Sequence, residues 1–300
     1  MIPDRRRSLA LAIPLFLAAF LGVGCGEKAA PVSKPAPTKT ATTADGHHGA
    51  PVALGRVELG GRGFLVARHG PLEPGKEGAV VVHAEDGGSL ADLFVWVADA
   101  NGKGLSAPAA GDVEGGGLHV HLTPRAGAGA PTALVVRRRT ADLDERATLP
   151  LHGGLESARD GVVAVLTDAK GAARGALELK LHDDNGDLEL WLFNDGAART
   201  PLDFPLDATI RVVFPALGDR EITLRVRDAE ENHDEDGKTQ VRNGRTNYFI
   251  FPGETGEDAS WLQGTSFAAP VRVEVPVGGE TLVSSPFALV PHVHLGDHEH

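Results

Sequence analysis

The chain has 300 residues, of which 42% are hydrophobic and 5% aromatic, with 38 glycines, 20 prolines and a formal net charge of -12. This length fits a leader followed by two domains of ordinary size, and the abundance of glycine and proline favours many short strands over helices. The acidic balance excludes nucleic acid as a partner, because nucleic-acid recognition requires clustered lysine and arginine.

The N-terminus has the features of an export signal. Three arginines at positions 5–7 precede the apolar run Leu9–Gly24, which is shorter than the roughly 20 residues that a membrane-spanning helix needs. The run ends directly before Cys25, the one cysteine of the chain. This arrangement resembles the signal peptide of bacterial lipoproteins. The resemblance implies removal of residues 1–24, lipidation of Cys25 and attachment to a membrane through acyl chains; the alternative is an ordinary secretory signal with an incidental cysteine.

The segment after the signal is predicted to be a tether. Gly26 follows the cysteine, whereas in the Gram-negative lipoproteins that the signal resembles an aspartate there favours the inner membrane. The resemblance therefore implies an outer-membrane lipoprotein facing the periplasm. The segment up to residue 50 is rich in Pro, Thr, Ala and Lys without apolar periodicity, so residues 25–50 are expected to be the lipidated cysteine and a disordered tether.

The rest of the chain contains an internal repeat. The segments Gly78–Leu105 and Gly175–Leu202 both read as a strand, an acidic turn with glycine, and a second strand, with Trp96 and Trp191 at the same place. This match predicts a duplicated domain. We therefore expect one domain over residues 51–151 and a second over 152–290, followed by a tail at 291–300.

The strands of both units show period-two alternation. In ALELKLH (residues 176–182) every second residue is a leucine, and glutamate, lysine and histidine alternate with the leucines. Such alternation predicts antiparallel sheets with one buried and one solvated face. Asn185-Gly186 predicts a two-residue hairpin between two such strands. The expected fold class is all-β, with two tandem β-sandwich domains of immunoglobulin-like type.

The C-terminal tail HVHLGDHEH is a candidate metal site. In an extended chain, residues two apart point the same way at about 6.5 to 7 Å, so two imidazoles can reach one ion. Neutral imidazole suits Zn, Cu or Ni, and neighbouring carboxylates add charge. The alternative is a solvated polar tail. The candidate ligands are His292, His294, Asp297, His298, Glu299 and His300.

A second candidate pair lies in LHVHL. His119 and His121 alternate with the apolar residues of that segment, so both are expected on the outer face of a strand. A metal site there requires a third ligand from a neighbouring strand, and a solvated face is the alternative. Both sets together predict a protein that binds Zn, Cu or Ni.

Other sequence features argue against two further classes of activity. The acidic segment Asp183–Asp187 lacks the glycine at the sixth loop position and the distant glutamate of an EF-hand loop. It is therefore interpreted as a hairpin turn. The chain carries no G-x-S-x-G, H-E-x-x-H, P-loop or dinucleotide fingerprint. We therefore expect a protein without enzymatic activity.

The C-terminal half resembles a known group of proteins. The segments GDLELWLF (Gly186–Phe193), PLD (Pro201–Asp203) and IRVVF (Ile210–Phe214), followed by more strands and a His/acidic tail, are similar to small periplasmic lipoproteins associated with heavy-metal efflux. The resemblance covers residues 152–300 and implies metal handling, with metal-efflux components as partners. The expected function is a lipid-anchored metal buffer or efflux accessory protein. The alternative is a cell-envelope scaffold or interaction module that binds a protein or glycan through its β-sandwich domains.

Overall fold

The computed structural model describes residues 49–195, 197–253, 256–264 and 267–292. The predicted signal peptide, the lipidation site Cys25 and nearly all of the predicted tether lie outside these residues, as does the tail beyond His292. Within the described residues no helix is both long and apolar enough to cross a membrane.

The first half of the chain supplies eight strands. They are β1 (Pro51–Leu59), β2 (Arg62–His69), β3 (Gly78–Ala84), β4 (Leu93–Ala98), β5 (Asp112–Glu114), β6 (Gly117–Leu122), β7 (Ala133–Arg139) and β8 (Asp144–Pro150).

The described residues of the second half contain twelve strands and two short 3-10 turns. The strands are β9 (Val162–Thr167), β10 (Ala173–Leu181), β11 (Leu188–Asp195), β12 (Thr200–Pro201), β13 (Phe204–Pro205), β14 (Ile210–Phe214), β15 (Arg220–Leu224), β16 (Arg245–Thr246), β17 (Tyr248–Phe251), β18 (Ala269–Val277), β19 (Glu280–Ser284) and β20 (Phe287–Leu289). The 3-10 turns are Pro215–Leu217 and Ser260–Leu262. The described residues contain no α-helix, and the mostly-β class is confirmed.

Most strands belong to one mixed sheet of 15 strands. Its main path runs β15-β14-β18-β19-β9-β1-β2-β3-β6-β5, while β10, β11, β12, β17 and β20 pair off this path. Smaller sheets are formed by β4-β7-β8 and by β13-β16. The two halves of the chain meet where β1 and β9 pair in parallel, at Val52 and Val163. The halves therefore share one large sheet, and hydrogen bonding does not divide them into two separate sandwiches.

The apolar core nevertheless has two main parts. One cluster joins residues from Leu54 to Leu149, drawn from β1, β2, β3 and β6 on one side and from β4, β7 and β8 on the other. The second cluster runs from Val162 to Leu289, with Ala53 as its one member from the first half. Burial of these aliphatic side chains is the main stabilising term for both halves.

The repeated segments differ in their pairing. In the second half β10 and β11 form an antiparallel hairpin with Leu181 opposite Leu188. In the first half the corresponding β3 and β4 lie in different sheets, since β3 pairs with β2 and β6 whereas β4 pairs with β7. The two tryptophans differ accordingly, because Trp191 is buried and Trp96 is only half-buried. The sequence repeat thus does not extend to strand pairing.

The predicted hairpin at Asn185-Gly186 is present, but its connection is longer than two residues. It spans residues 182–187, and among these only Gly186 has a positive φ, of 74°. A Cβ at this position would lie 2.3 Å from the carbonyl oxygen of Ala259. Glycine is therefore required both by the left-handed backbone and by the close approach of the neighbouring segment.

The alternation of β10 is confirmed on one face and wrong on the other. The leucines of β10 and β11 face the second core, as expected. The opposite face, expected to be solvated, is buried as well, since Glu178, Lys180 and Glu189 are 0%, 4% and 3% exposed. Two segments cover it, the 155–161 loop and the 228–247 loop, through hydrogen bonds to Glu178 and Lys180. Strand periodicity alone did not predict this cover because both loops are distant in sequence.

Candidate metal centre

Charged side chains of β10 and β11 line one face of the hairpin. The register places Lys180 opposite Glu189 and Glu178 opposite Trp191, and β17 continues the face with Ile250 opposite Glu189. Alternate residues of a strand share a face, so His182, directly after β10, lies on the same side as Lys180. Glu178, Lys180, His182 and Glu189 thus form a polar layer between the hairpin and the covering loops.

Three donors from this layer converge. His182, Glu189 and Glu235 each offer one ligand atom, and these atoms all lie within 4.8 Å of one another. The Nε2 atom of His182 is 3.2 Å from Oε2 of Glu189 and 3.7 Å from Oε2 of Glu235. Glu189 is buried, His182 is half-buried and Glu235 is exposed. The group therefore lies at the edge of the polar layer, where solvent and ions have access.

Glu235 is positioned by the turn that carries it. The backbone N–H of Asp234 donates to the carbonyl of Lys238, and the N–H of Gly237 donates to the carbonyl of Asp234. The fully buried Asn232 fixes the base of the loop by donating to Oγ1 of Thr246 and to the carbonyl of Tyr248, both at 3.0 Å. These bonds hold the turn against β17, so Glu235 projects from an ordered segment.

Neighbouring side chains keep the Glu189 carboxylate ionised and fix its orientation. Burial alone would raise the pKa of Glu189, but hydrogen bonds from His182 and Tyr248 outweigh it and lower the pKa of this carboxyl. Burial in turn raises the pKa of the Tyr248 hydroxyl, so that Tyr248 stays a hydrogen-bond donor to Oε1 of Glu189. Outer hydrogen bonds of this kind orient a ligating carboxylate, and Oε2 is left facing His182.

The contact between His182 and Glu189 also shifts the pKa of His182. Its hydrogen bond to Glu189 raises the pKa of the imidazole, against the effect of burial. Arg227 belongs to the same network. Burial lowers the pKa of its guanidinium, but the hydrogen bond with Tyr248 and the nearby Glu189 and Asp187 together raise this pKa above its usual value. A cation near His182 would compete with a proton for the same nitrogen, since only neutral imidazole binds metals.

One residue of the layer works against a cation. The Nζ atom of Lys180 donates to both carboxylate oxygens of Glu235, at 2.7 and 2.8 Å, and its side chain is 4% exposed. A carboxylate oxygen has two lone pairs, so these bonds leave Glu235 able to bind a metal. The ammonium charge nevertheless repels a dication and weakens any metal bound here.

The three donors open into a cleft of about 310 Å³. Its lining is formed by the β10–β11 connection, the 228–247 loop and the end of β17. The lining residues are His182, Asp184, Asn185, Asp187, Leu188, Glu189, Arg227, Glu235, Ile250, Phe251, Pro252 and Gly253.

The donor set limits which metals fit. One imidazole and two carboxylates could hold a divalent transition metal such as Zn or Ni, with water at the remaining positions. The set contains no thiolate, so it does not favour Cu(I). Among the residues that the structure describes, this is the one group of three or more His, Cys, Asp or Glu side chains whose ligand atoms all lie within 4.8 Å of one another.

Of the predicted site residues that the structure describes, His119 and His121 lie away from this group, on β6. His119 and His121 point outward from β6, as expected from the burial of the alternate residues 118, 120 and 122. The Nδ1 atom of His121 lies 3.0 Å from Oε1 of Glu77. Burial, followed by the nearby His119, lowers the pKa of His83 on the neighbouring β3.

The remaining described candidate lies at the start of the tail. His292 is described, and its backbone N–H donates to the carbonyl of Leu181 at 2.8 Å, next to His182. The other tail candidates, His294, Asp297, His298, Glu299 and His300, lie outside the described residues.

Sequence reasoning missed the three-donor group. Two signals were present: His182 and Glu189 flank the predicted hairpin, and the register of that hairpin puts both on its polar face. Glu235 could not be found this way, since it lies 55 residues from Lys180, its hydrogen-bond partner. Comparison with known proteins adds no further constraint, because the chain matches no protein-family model and no curated protein.

Proposed function

We propose that this chain is a non-enzymatic protein of the bacterial cell envelope that binds a transition metal ion, Zn, Cu or Ni, as a buffer or an efflux accessory protein. The observation that carries the proposal is the convergence of His182, Glu189 and Glu235 within 4.8 Å. Anchoring through a lipidated Cys25, at the periplasmic face of the outer membrane, belongs to the same proposal. It is supported by the resemblance of residues 1–25 to a lipoprotein signal.

Two properties of the group support metal binding, and a third sets its strength. Its carboxylates are pre-oriented, Glu189 by Tyr248 and Glu235 by the ordered turn around Asp234. Its donors lie on rigid strands or on a hydrogen-bonded turn, which reduces the ordering cost of binding an ion. Lys180 beside Glu235 lowers affinity, and moderate affinity suits a protein that must release its ion to a partner such as a metal-efflux component.

We also propose that the two halves descend from two sandwich-like units. The support is the separation of the apolar core into one cluster for residues 54–149 and another centred on residues 162–289. The parallel contact between β1 and β9 then joins the two units into the large sheet.

The test is isothermal titration of the purified chain with Zn, Ni and Cu(II), in parallel with three single variants, His182→Gln, Glu189→Gln and Glu235→Gln. Loss of one of three protein ligands should weaken binding by about 100-fold or more, beyond the 10- to 100-fold typical of outer-shell changes. His233→Gln and Glu230→Gln, in the same loop but outside the group, are matched controls and should bind as the parent chain does.

Each alternative has a distinct outcome. Unchanged binding in the three variants, with loss on ending the chain at Pro291, would move the metal to the tail and overturn the assignment to this centre. No binding tighter than about millimolar for any of the ions would reject metal binding altogether. The protein would then be better explained as an envelope interaction module, whose partner would be a protein or a glycan.

A further inference from the structure

His292, the last residue that the structure describes, is held by its backbone beside the candidate metal centre. The N–H of His292 donates to the carbonyl of Leu181, and His292 pairs in parallel with His182. The approach to this point is anchored, because Leu289 is fully buried and Pro291 is buried as well. The position of the His292 backbone is therefore set by packing and by a backbone hydrogen bond, and neither of these depends on a metal ion.

The docking place is an open edge of β10. On one side β10 pairs with β11 as far as Leu181 and Leu188. On its other side β9 begins at Val162, opposite Leu179. Strand β9 therefore does not pair with the end of β10 after Leu179, and the backbone N–H of His292 bonds there to the carbonyl of Leu181.

Pairing also sets the side on which His292 lies. Directly paired residues of neighbouring strands project to the same face of a sheet, and the strands are about 4.8 Å apart. Leu181 points into the second core, so His182 and its pairing partner His292 both belong to the polar face. Two imidazoles thus lie side by side, and one of them is already a member of the three-donor group.

We infer that His292 supplies a second imidazole to the centre formed by His182, Glu189 and Glu235, and so completes a two-histidine, two-carboxylate site for a divalent metal. This inference rests on the proposed function. In the structure His292 is not part of the group within 4.8 Å, so metal binding requires its ring to turn toward His182. Two imidazoles and two carboxylates satisfy the four-coordinate preference of Zn.

The site then has a consequence for the segment that leads to His292. A ligand at His292 links this segment to β10 through the metal as well as through the backbone hydrogen bond to Leu181. Metal binding should therefore protect residues 287–292 from local opening, since a ligand that binds one state stabilises it.

The test separates His292 from the rest of the tail. A chain ending at Val293 keeps His292 and lacks all other tail candidates, and it is compared with the same chain carrying His292→Gln. Glutamine keeps the backbone hydrogen bond to Leu181, so docking is retained. We expect the substitution to weaken Zn and Ni binding by about 100-fold or more, beyond the range of outer-shell changes, and His182→Gln to weaken it at least as much. The His182→Gln/His292→Gln double variant should lose less than the product of the two single effects, because the two ligands share one ion.

A second readout reports the ligands directly. Co(II) bound to the chain ending at Val293 should show the intense visible absorption of a four-coordinate centre, and His292→Gln should change that spectrum. His233→Gln should leave it unchanged. Circular dichroism without metal must be the same for all variants, which separates ligand loss from misfolding.

The outcomes distinguish the two proposals. Absence of metal binding by the parent chain rejects the proposed function and this inference together. Binding that is lost with His182→Gln but untouched, in affinity and in Co(II) spectrum, by His292→Gln leaves the proposed function standing and rejects the role of His292 alone.

Discussion

Glu178 is expected to be a main contributor to the stability of the second half. Its carboxylate is fully buried in the middle of β10. It accepts hydrogen bonds from Oγ of Ser157 at 2.6 Å and from the backbone N–H of Arg159 at 2.7 Å. It also accepts from Arg199, whose side chain is 24% exposed. Replacing Glu178 with alanine removes the carboxylate that accepts hydrogen bonds from the 155–161 loop on the polar face.

The magnitude follows from what the substitution leaves behind. Removing one partner of a buried ion pair costs about 3 to 5 kcal/mol, because the remaining charge and donors lose their compensation. Arg199 is partly exposed and can be hydrated after the change, which places the expected loss near the lower end, at about 3 kcal/mol. Glu178→Gln keeps an acceptor oxygen and the side-chain volume, so about half that loss is expected.

The free energy of unfolding should be measured by urea titration, followed by far-UV circular dichroism and tryptophan fluorescence. Trp191 is buried on the same face as Glu178, so its emission reports on this layer. Glu280→Ala, at an exposed position that starts β19, is the matched control and should change stability by less than about 0.5 kcal/mol. A loss below about 1 kcal/mol for Glu178→Ala would refute the view that this carboxylate holds the loop in place.

Three further predictions concern the centre and its surroundings. Lys180→Met should tighten Zn binding by about 10- to 100-fold in calorimetry because it removes a cation next to Glu235, whereas Lys180→Arg should not; equal affinities for both variants would contradict the repulsion. Burial and then the charge of Arg68 lower the pKa of His152, so its stabilising contribution is complete above the unfolded pKa of about 6.5 and is lost as pH falls. His152→Gln should therefore flatten the fall in melting temperature between pH 7 and pH 5, and an unchanged slope would reject this contribution. Gly186→Ala should cost about 1 to 3 kcal/mol in urea unfolding, through backbone strain and the clash with Ala259. Gly278→Ala, with a φ of 56° and open space around its Cβ, should show the strain alone, and equal losses at the two sites would exclude the clash.

Local patterns in the sequence predicted part of this fold. Period-two alternation correctly placed the leucines of β10 and β11 in the core, and the Asn185-Gly186 dipeptide correctly indicated a hairpin. Both features depend on residues close in the chain, where backbone geometry alone sets which side chains share a face. The outward direction of His119 and His121 was predicted on the same basis.

Long-range contacts account for what the sequence did not predict. The polar face of β10 was expected to be solvated, but it is covered by a loop whose Glu235 lies 55 residues from Lys180. The single large sheet depends on Val52 and Val163, which no local pattern connects. The three-donor group combines both cases, since its hairpin members follow from register and its third member arrives with the covering loop.

The meeting of β1 with β9 also has a consequence for the order in which the chain folds during synthesis. Within the residues that the structure describes, strands β2 to β8 pair only among themselves and with β1, so these partners have been synthesised once residue 150 has left the ribosome. Strand β9, by contrast, pairs with β1, β10 and β19. N-terminal units generally fold first during translation. The exposed edge of β1 can therefore act as a template on which β9, and after it the rest of the second half, assembles.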